Sequence, residues 1–138
     1  MMMADAGMFA LRLAIGATFI NHGSQKLFTA TEAMTKFFAS QGFPAPGAMV
    51  LLAGIAEFVG GILLIAGLGT RFAAAAHVVV MVVAIAAIHG VSKWGAIELP
   101  VTLLASSLAI LLCGAGGWSI DAWLARRHKS GADLSAKM

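Results

Sequence analysis

The protein has 138 residues, of which 60% are hydrophobic and 11% are charged, with a formal net charge of +3. A soluble domain of this size exposes too much surface to hide so many apolar side chains, and soluble domains carry about 25% charged residues. The composition also excludes a disordered chain and a nucleic-acid-binding protein, and the single cysteine excludes an internal disulfide framework. The sequence therefore predicts an integral membrane protein.

Four apolar stretches have about the length that a membrane-spanning helix needs. A bilayer core of about 30 Å takes about 20 apolar residues per helix. Because lipid-exposed backbone must satisfy its own hydrogen bonds, the stretches predict an all-α membrane protein, a four-transmembrane-helix bundle. The predicted spans are 8–28, 47–68, 71–89 and 99–113, with Pro100 in the first turn of the fourth.

Two short helices are predicted at the membrane surface. The segment 29–46, between the first two spans, carries apolar residues at helical spacing and ends at two prolines. The segment after the fourth span places tryptophans beside arginines, a composition typical of the lipid headgroup boundary. Residues 1–127 are thus predicted to form a single four-helix membrane domain, and residues 128–138 a polar, disordered cytoplasmic tail.

The positions of lysine and arginine predict the orientation, because cytoplasmic loops are enriched in these residues. With four spans, both termini lie on one side of the membrane. That side carries Arg12, Arg71, Arg126, Arg127, Lys129 and Lys137, whereas the opposite side carries Lys26, Lys36 and Lys93. Both termini are therefore predicted to lie in the cytoplasm.

Two charged residues fall inside predicted spans, where a charge costs at least about 2.5–3.5 kcal/mol at the centre. Glu57 lies near the middle of the second span, and Arg12 lies about one turn inside the first. One interpretation is a buried Arg12–Glu57 pair, or a protonated Glu57 bonded to a neighbouring helix. The other is a carboxyl group that handles protons or contacts a quinone, because perturbed titratable groups gather at functional sites.

A second polar group is predicted at the outer membrane boundary. His22 and Lys26 share a helix face, His89 ends the third span, and Glu98 begins the fourth. These four side chains form either the mouth of a pocket for a quinone headgroup or small anion, or only anchors in the headgroup layer. Histidines in this arrangement leave haem or metal ligation open, but the sequence assigns no metal site. His77, alone inside the third span, is expected to be a core residue.

Several short motifs, taken in chain order, resemble the DoxX family over about residues 8–124. They are Arg12-Leu13 with Gly16 and Phe19, His22-Gly23, Gln25-Lys26-Leu27-Phe28, Gly42-Phe43-Pro44, Glu57 with Gly60-Gly61, Gly67-Leu68-Gly69-Thr70-Arg71, His89, and Ser119-Ile120-Asp121. The resemblance implies a small four-helix protein of the bacterial plasma membrane. The family takes its name from a subunit of a thiosulfate:quinone oxidoreductase, and relatives are linked with membrane redox complexes that handle thiols or oxidative stress.

The resemblance thus implies a membrane subunit of a redox complex linked to quinone or thiols. The alternatives are a non-catalytic membrane partner that supports assembly of a larger complex and, less favoured, a small transporter or channel. The sequence does not decide whether this chain is an enzyme, and it leaves the cofactor open between quinone and haem. The expected partners are the lipid bilayer and other membrane or redox subunits; homo-oligomerisation is left open, and nucleic acid is not expected.

Overall fold

The structure is a computed structural model that describes residues 2–87 and 94–135. The regular elements in those ranges are all helical, which confirms the predicted all-α class. The α-helices are α1 (Met2–Ser24), α2 (Thr31–Ser40), α3 (Pro46–Ala66), α4 (Thr70–Ala87), α5 (Trp94–Cys113) and α6 (Ile120–Ser135). A π-helical turn at Gln25–Thr29 extends α1.

Within the described ranges, three helices are long and apolar enough to cross a membrane: α1 with its π-helical turn, α3 and α5. α4 is also apolar but shorter. The apolar stretch that predicted the third span continues beyond α4 into residues outside the described ranges. The structure therefore matches three of the four predicted spans on length, and a fourth crossing by α4 stays a prediction.

Two helix boundaries differ from the sequence-based predictions. α5 begins at Trp94, before the expected start, so Pro100 lies inside the helix and not in its first turn. Membrane helices tolerate such a proline because neighbouring groups satisfy the freed carbonyl. α6 continues to Ser135, although a disordered tail was expected from residue 128. Helix-favouring alanine, leucine and arginine residues lie in α6 before residue 128, and Asp121 complements the positive end of its dipole.

Glycines bring α1 and α3 into backbone contact. A Cβ atom on Gly16 would lie 2.7 Å from the carbonyl oxygen of Gly61, and one on Gly23 would lie 2.5 Å from the backbone nitrogen of Phe58. Any larger residue at these positions would push the helices apart, as expected for small residues at a membrane-helix interface. Beside this contact, α1, α3, α4 and α5 share an apolar core, whose fully buried members are Phe19, Leu64, Ala74 and Ile110.

Arg12 is fully buried at the end of the bundle where α3 ends. Its Nη1 donates hydrogen bonds to the carbonyl oxygens of Leu64 at 3.0 Å and Ile65 at 3.3 Å, and its Nη2 donates to the carbonyl of Trp118. Carbonyls at a helix C-terminus lack partners within the helix and carry partial negative charge, so a guanidinium stabilises them.

The predicted Arg12–Glu57 pair is therefore wrong, although both side chains are buried. Leu64, which Arg12 binds, lies about 10 Å along α3 from Glu57 at 1.5 Å per residue. The guanidinium is held by backbone carbonyls about two turns away from the carboxylate. The sequence predicts that both charged residues lie within the membrane, but no sequence pattern indicates that Arg12 would donate hydrogen bonds to carbonyl oxygens at the end of α3.

The carboxylate of Asp121 binds the start of α4 at the same end of the bundle. Its Oδ1 accepts a hydrogen bond from the Gly69 N–H at 2.8 Å, and its Oδ2 accepts one from the Thr70 N–H at 3.0 Å. Burial raises the pKa of the Asp121 carboxyl, but these N–H donors and the charge of Arg12 outweigh it and hold the pKa below its ordinary value. We call Arg12, Asp121 and the backbone groups they bind the Arg12–Asp121 network.

Candidate functional site

A cavity of about 530 Å³ lies among α1 to α5. Neither Arg12 nor Asp121 is among its lining residues. Its walls are mostly apolar and include Phe19, Ala53 and Leu103. Three polar side chains interrupt them: His22 near the end of α1, Lys26 in the π-helical turn, and Glu57 in the middle of α3. This volume, with apolar walls and a few polar groups, is typical of a site for a small organic molecule.

Lys26 and Glu57 form a buried ion pair on the wall of this cavity. The Nζ of Lys26 donates a hydrogen bond to Oε2 of Glu57 at 2.6 Å, and the two side chains are 14% and 2% exposed. Charges removed from water are tolerated when a partner of opposite sign lies at hydrogen-bond distance. An ammonium group has three N–H donors. Among the described residues only Glu57 accepts from Nζ, so the remaining donors can serve a molecule in the cavity.

The π-helical turn positions Lys26. The N–H of Ala30 closes the turn on the carbonyl of Gln25 at 2.7 Å, and the hydroxyl of Thr31 donates to the carbonyl of Lys26 at 2.7 Å. Gly54 lets the turn lie against α3, because a Cβ atom there would lie 3.1 Å from the Cβ of Lys26. π-helical turns are rare and occur frequently at functional sites. The regular helical spacing used to place Lys26 could not reveal this distortion.

The predicted outer cluster is only partly brought together. His22 and Lys26 line the same cavity, as their spacing of four residues suggested. Glu98 lies on the exposed side of α5 and is not among the cavity-lining residues. His89 lies outside the described residues. The acidic residue that lines the cavity is Glu57, which the sequence analysis had paired with Arg12.

α2 covers one side of the cavity. Met34, Phe37 and Phe38 line it from α2, and Phe38 stacks on Phe43 with ring centroids 4.9 Å apart. Charged residues of α2 form an exposed ion pair, Lys36 with Glu32, at 2.7 Å. The helix between the first two spans is thus present and amphipathic, with its aromatic residues toward the cavity.

His77 is buried in α4 just behind the cavity wall. Its imidazole stacks on the ring of Phe19, with centroids 3.6 Å apart and the planes inclined by 9°. A stacked, fully buried position agrees with the expected core placement of this residue. Among residues 2–87 and 94–135, no group of three or more histidines, cysteines or acidic residues is arranged to hold a metal ion.

Comparison with known proteins identifies the family. The model of the DoxX family matches residues 7–90. This chain belongs to the DoxX family. The match runs from α1 to the end of α4 and includes Lys26, Glu57 and His77, and it confirms the resemblance that the sequence motifs indicated.

Two curated relatives support the assignment. The DoxX protein is 30% identical over 128 residues to "Putative oxidoreductase CatD" of Bacillus subtilis (strain 168), covering 92% of this chain and 93% of the relative. It is 31% identical over 131 residues to "Uncharacterized membrane protein Rv3486" of Mycobacterium tuberculosis (strain ATCC 25618 / H37Rv), covering 85% of this chain and 80% of the relative. No solved structure matches the chain. Together with the apolar helices, the family places this chain among helical membrane proteins.

Proposed function

We propose that this DoxX protein is the membrane subunit of a redox complex and that its cavity holds a lipid-soluble quinone. The Lys26–Glu57 ion pair on the wall of an otherwise apolar cavity carries the proposal. A quinone has an apolar ring and tail and carbonyl oxygens that accept hydrogen bonds. The name of the Bacillus relative, "Putative oxidoreductase CatD", supports a redox role.

In this proposal Lys26 binds a carbonyl oxygen of the quinone ring through the donors that Glu57 leaves unused. Its positive charge also stabilises the negative charge that grows on that oxygen when the ring receives electrons from a partner subunit. Glu57 holds the ammonium in place, since a paired and buried lysine loses much of its rotational freedom. His22, on the same wall, provides a second polar group for the ring.

We further propose that α1, α3, α4 and α5 all cross the bacterial plasma membrane, with both termini in the cytoplasm. α4 packs against both α3 and α5 and is apolar apart from its first turn and His77. α2 and α6 would lie at the two membrane surfaces, since both carry charged residues, and α6 also has Trp123 beneath the guanidinium of Arg127. The excess of basic residues near the Arg12–Asp121 network supports this orientation.

Binding of a short-chain quinone to the purified protein in lipid nanodiscs tests the proposal. We expect decylubiquinone to bind the wild type and to bind much more weakly to Ala53→Phe, which fills the cavity. Val59→Phe is the matched control, because Val59 lies on the same helix and is 47% exposed on its outer surface. Equal affinity in all three proteins, or no binding to the wild type, would contradict the proposal and favour a non-catalytic membrane partner.

A further inference from the structure

His77 has no part in the proposed quinone contacts, yet it touches a residue that makes the cavity wall. Phe19 lines the cavity on one side and stacks on the imidazole of His77 on the other. On α4, His77 lies one turn from Met81, which also lines the cavity. The imidazole is therefore directly behind the wall.

The environment of this imidazole is unfavourable for a residue that serves packing alone. His77 is fully buried, and within the described part of the chain neither Nδ1 nor Nε2 makes a hydrogen bond of normal geometry, although backbone groups of Ala56 and Glu57 lie near the ring. Buried polar atoms without partners reduce stability, so a leucine would suit a purely structural position better. Gly60 makes room for the ring, because a Cβ atom there would lie 2.6 Å from Nε2.

Ser107 of α5 is a second buried polar residue without a hydrogen-bond partner among the described residues. It lies one turn beyond Leu103, which lines the cavity. Measured along the helices, Ser107 lies about 9 Å from the end of α5 and His77 about 10 Å from the start of α4. Buried Thr70, at that start, is two turns from His77 on the same face.

We propose that His77 and Ser107 form an internal proton route from the Arg12–Asp121 network to Glu57 and the cavity. The inference rests on the proposed function, since a quinone that accepts two electrons from a donor subunit also takes up two protons to become a quinol. A neutral imidazole has one N–H donor and one acceptor nitrogen, a hydroxyl donates while it accepts, and buried water bridges such groups.

Hydrogen–deuterium exchange at Glu57 tests the route without any quinone. In Lys26→Met, the buried Glu57 loses its partner and becomes a neutral carboxylic acid, whose C=O infrared band shifts when deuterium replaces its proton. We expect His77→Leu or Ser107→Ala, each added to Lys26→Met, to slow this exchange by about a hundredfold, the contribution typical of a positioned proton-transfer group. Val82→Leu, at a half-exposed position of α4, is the control and should leave the rate unchanged.

Equal exchange rates in the His77→Leu and Val82→Leu proteins would overturn the proposal. If the Lys26→Met protein does not fold, exchange of the imidazole C2 hydrogen of His77 in the wild type, followed by mass spectrometry, gives a second measurement. We expect that exchange to proceed and to slow in Ser107→Ala, and no exchange in the wild type would also overturn the route. Neither measurement depends on quinone binding, so failure of the proposed function would be detected separately.

Discussion

Lys26 and Glu57 are 31 residues apart in the chain and meet at 2.6 Å inside the helix bundle. The contact joins the π-helical turn after α1 to the middle of α3. The pair therefore links α1 to α3 and places two charged groups on the wall of an otherwise apolar cavity.

Breaking this pair should destabilise the protein. Lys26→Met leaves the Glu57 carboxyl buried without its partner, so we expect the free energy of unfolding to fall by about 3–5 kcal/mol. Lys26→Met combined with Glu57→Gln should recover part of that loss, because no buried carboxyl group without its partner then remains. Reversible unfolding in mixed micelles measures these two variants and Glu57→Gln alone.

Lys36→Met is the matched control for the substitutions of Lys26 and Glu57. Lys36 also forms an ion pair, with Glu32, but both side chains are largely exposed and solvent screens them. We expect a change below about 1 kcal/mol. Additive effects of the Lys26 and Glu57 substitutions would show that the two residues are not coupled.

Close contact between α1 and α3 should make Gly16 intolerant of a methyl group. In Gly16→Ala the new Cβ would lie 2.7 Å from the carbonyl of Gly61, and we expect a loss of about 1–3 kcal/mol as the helices separate. Gly7→Ala, on the same helix with open space around it, should instead stabilise the protein by up to about 1 kcal/mol. Equal effects at both glycines in the same unfolding assay would argue against the backbone contact.

Asp121 should make a pH-dependent contribution to stability. Its pKa in the folded protein lies below the ordinary value of 3.8, so the contribution is fully present above that value and is lost as the pH falls through the folded pKa. Asp121→Ala removes two hydrogen bonds to the start of α4 and should cost about 0.5–2 kcal/mol at neutral pH. Thermal unfolding of both proteins at a series of pH values checks this: the difference should shrink in acid, and a constant difference would count against the assigned role.

The proposed orientation can be read from reporter fusions. An even number of spans with cytoplasmic termini predicts that a fusion after residue 130 reports the cytoplasm. A fusion within residues 29–46 should report the opposite side. Identical reports from the two positions would show that the proposed count of three spans between them is wrong.

Much of the fold follows from the sequence because hydropathy and helix-breaking residues act locally. The all-helical class, the spans containing Glu57 and Arg12, and the helix between the first two spans all come from residues close together in the chain. The extension of α6 beyond residue 127 has no local signal, because residues 128–135 are mostly polar and include Gly131 and two serines.

The partners of the buried charges could not be predicted, because they depend on helix ends and rotations. Arg12 binds the carbonyl oxygens at the end of α3, which no side-chain pattern encodes, and this leaves Glu57 to Lys26. His22 and Lys26 line the same cavity, as expected of residues four apart on a helix. The π-helical turn that places Lys26 beside Glu57 has no sequence signature of comparable clarity.

Photolabelling with an azido-quinone tests the central claim, that the cavity holds a lipid-soluble quinone, most directly. The protein is illuminated in nanodiscs with the probe, and the labelled peptides are mapped by mass spectrometry. The account predicts labelling concentrated on the cavity-lining part of α3 around Ala53, with loss of that label in Ala53→Phe and its retention in Val59→Phe. Labelling spread over the lipid-facing residues of all the helices, and unchanged by Ala53→Phe, would contradict it.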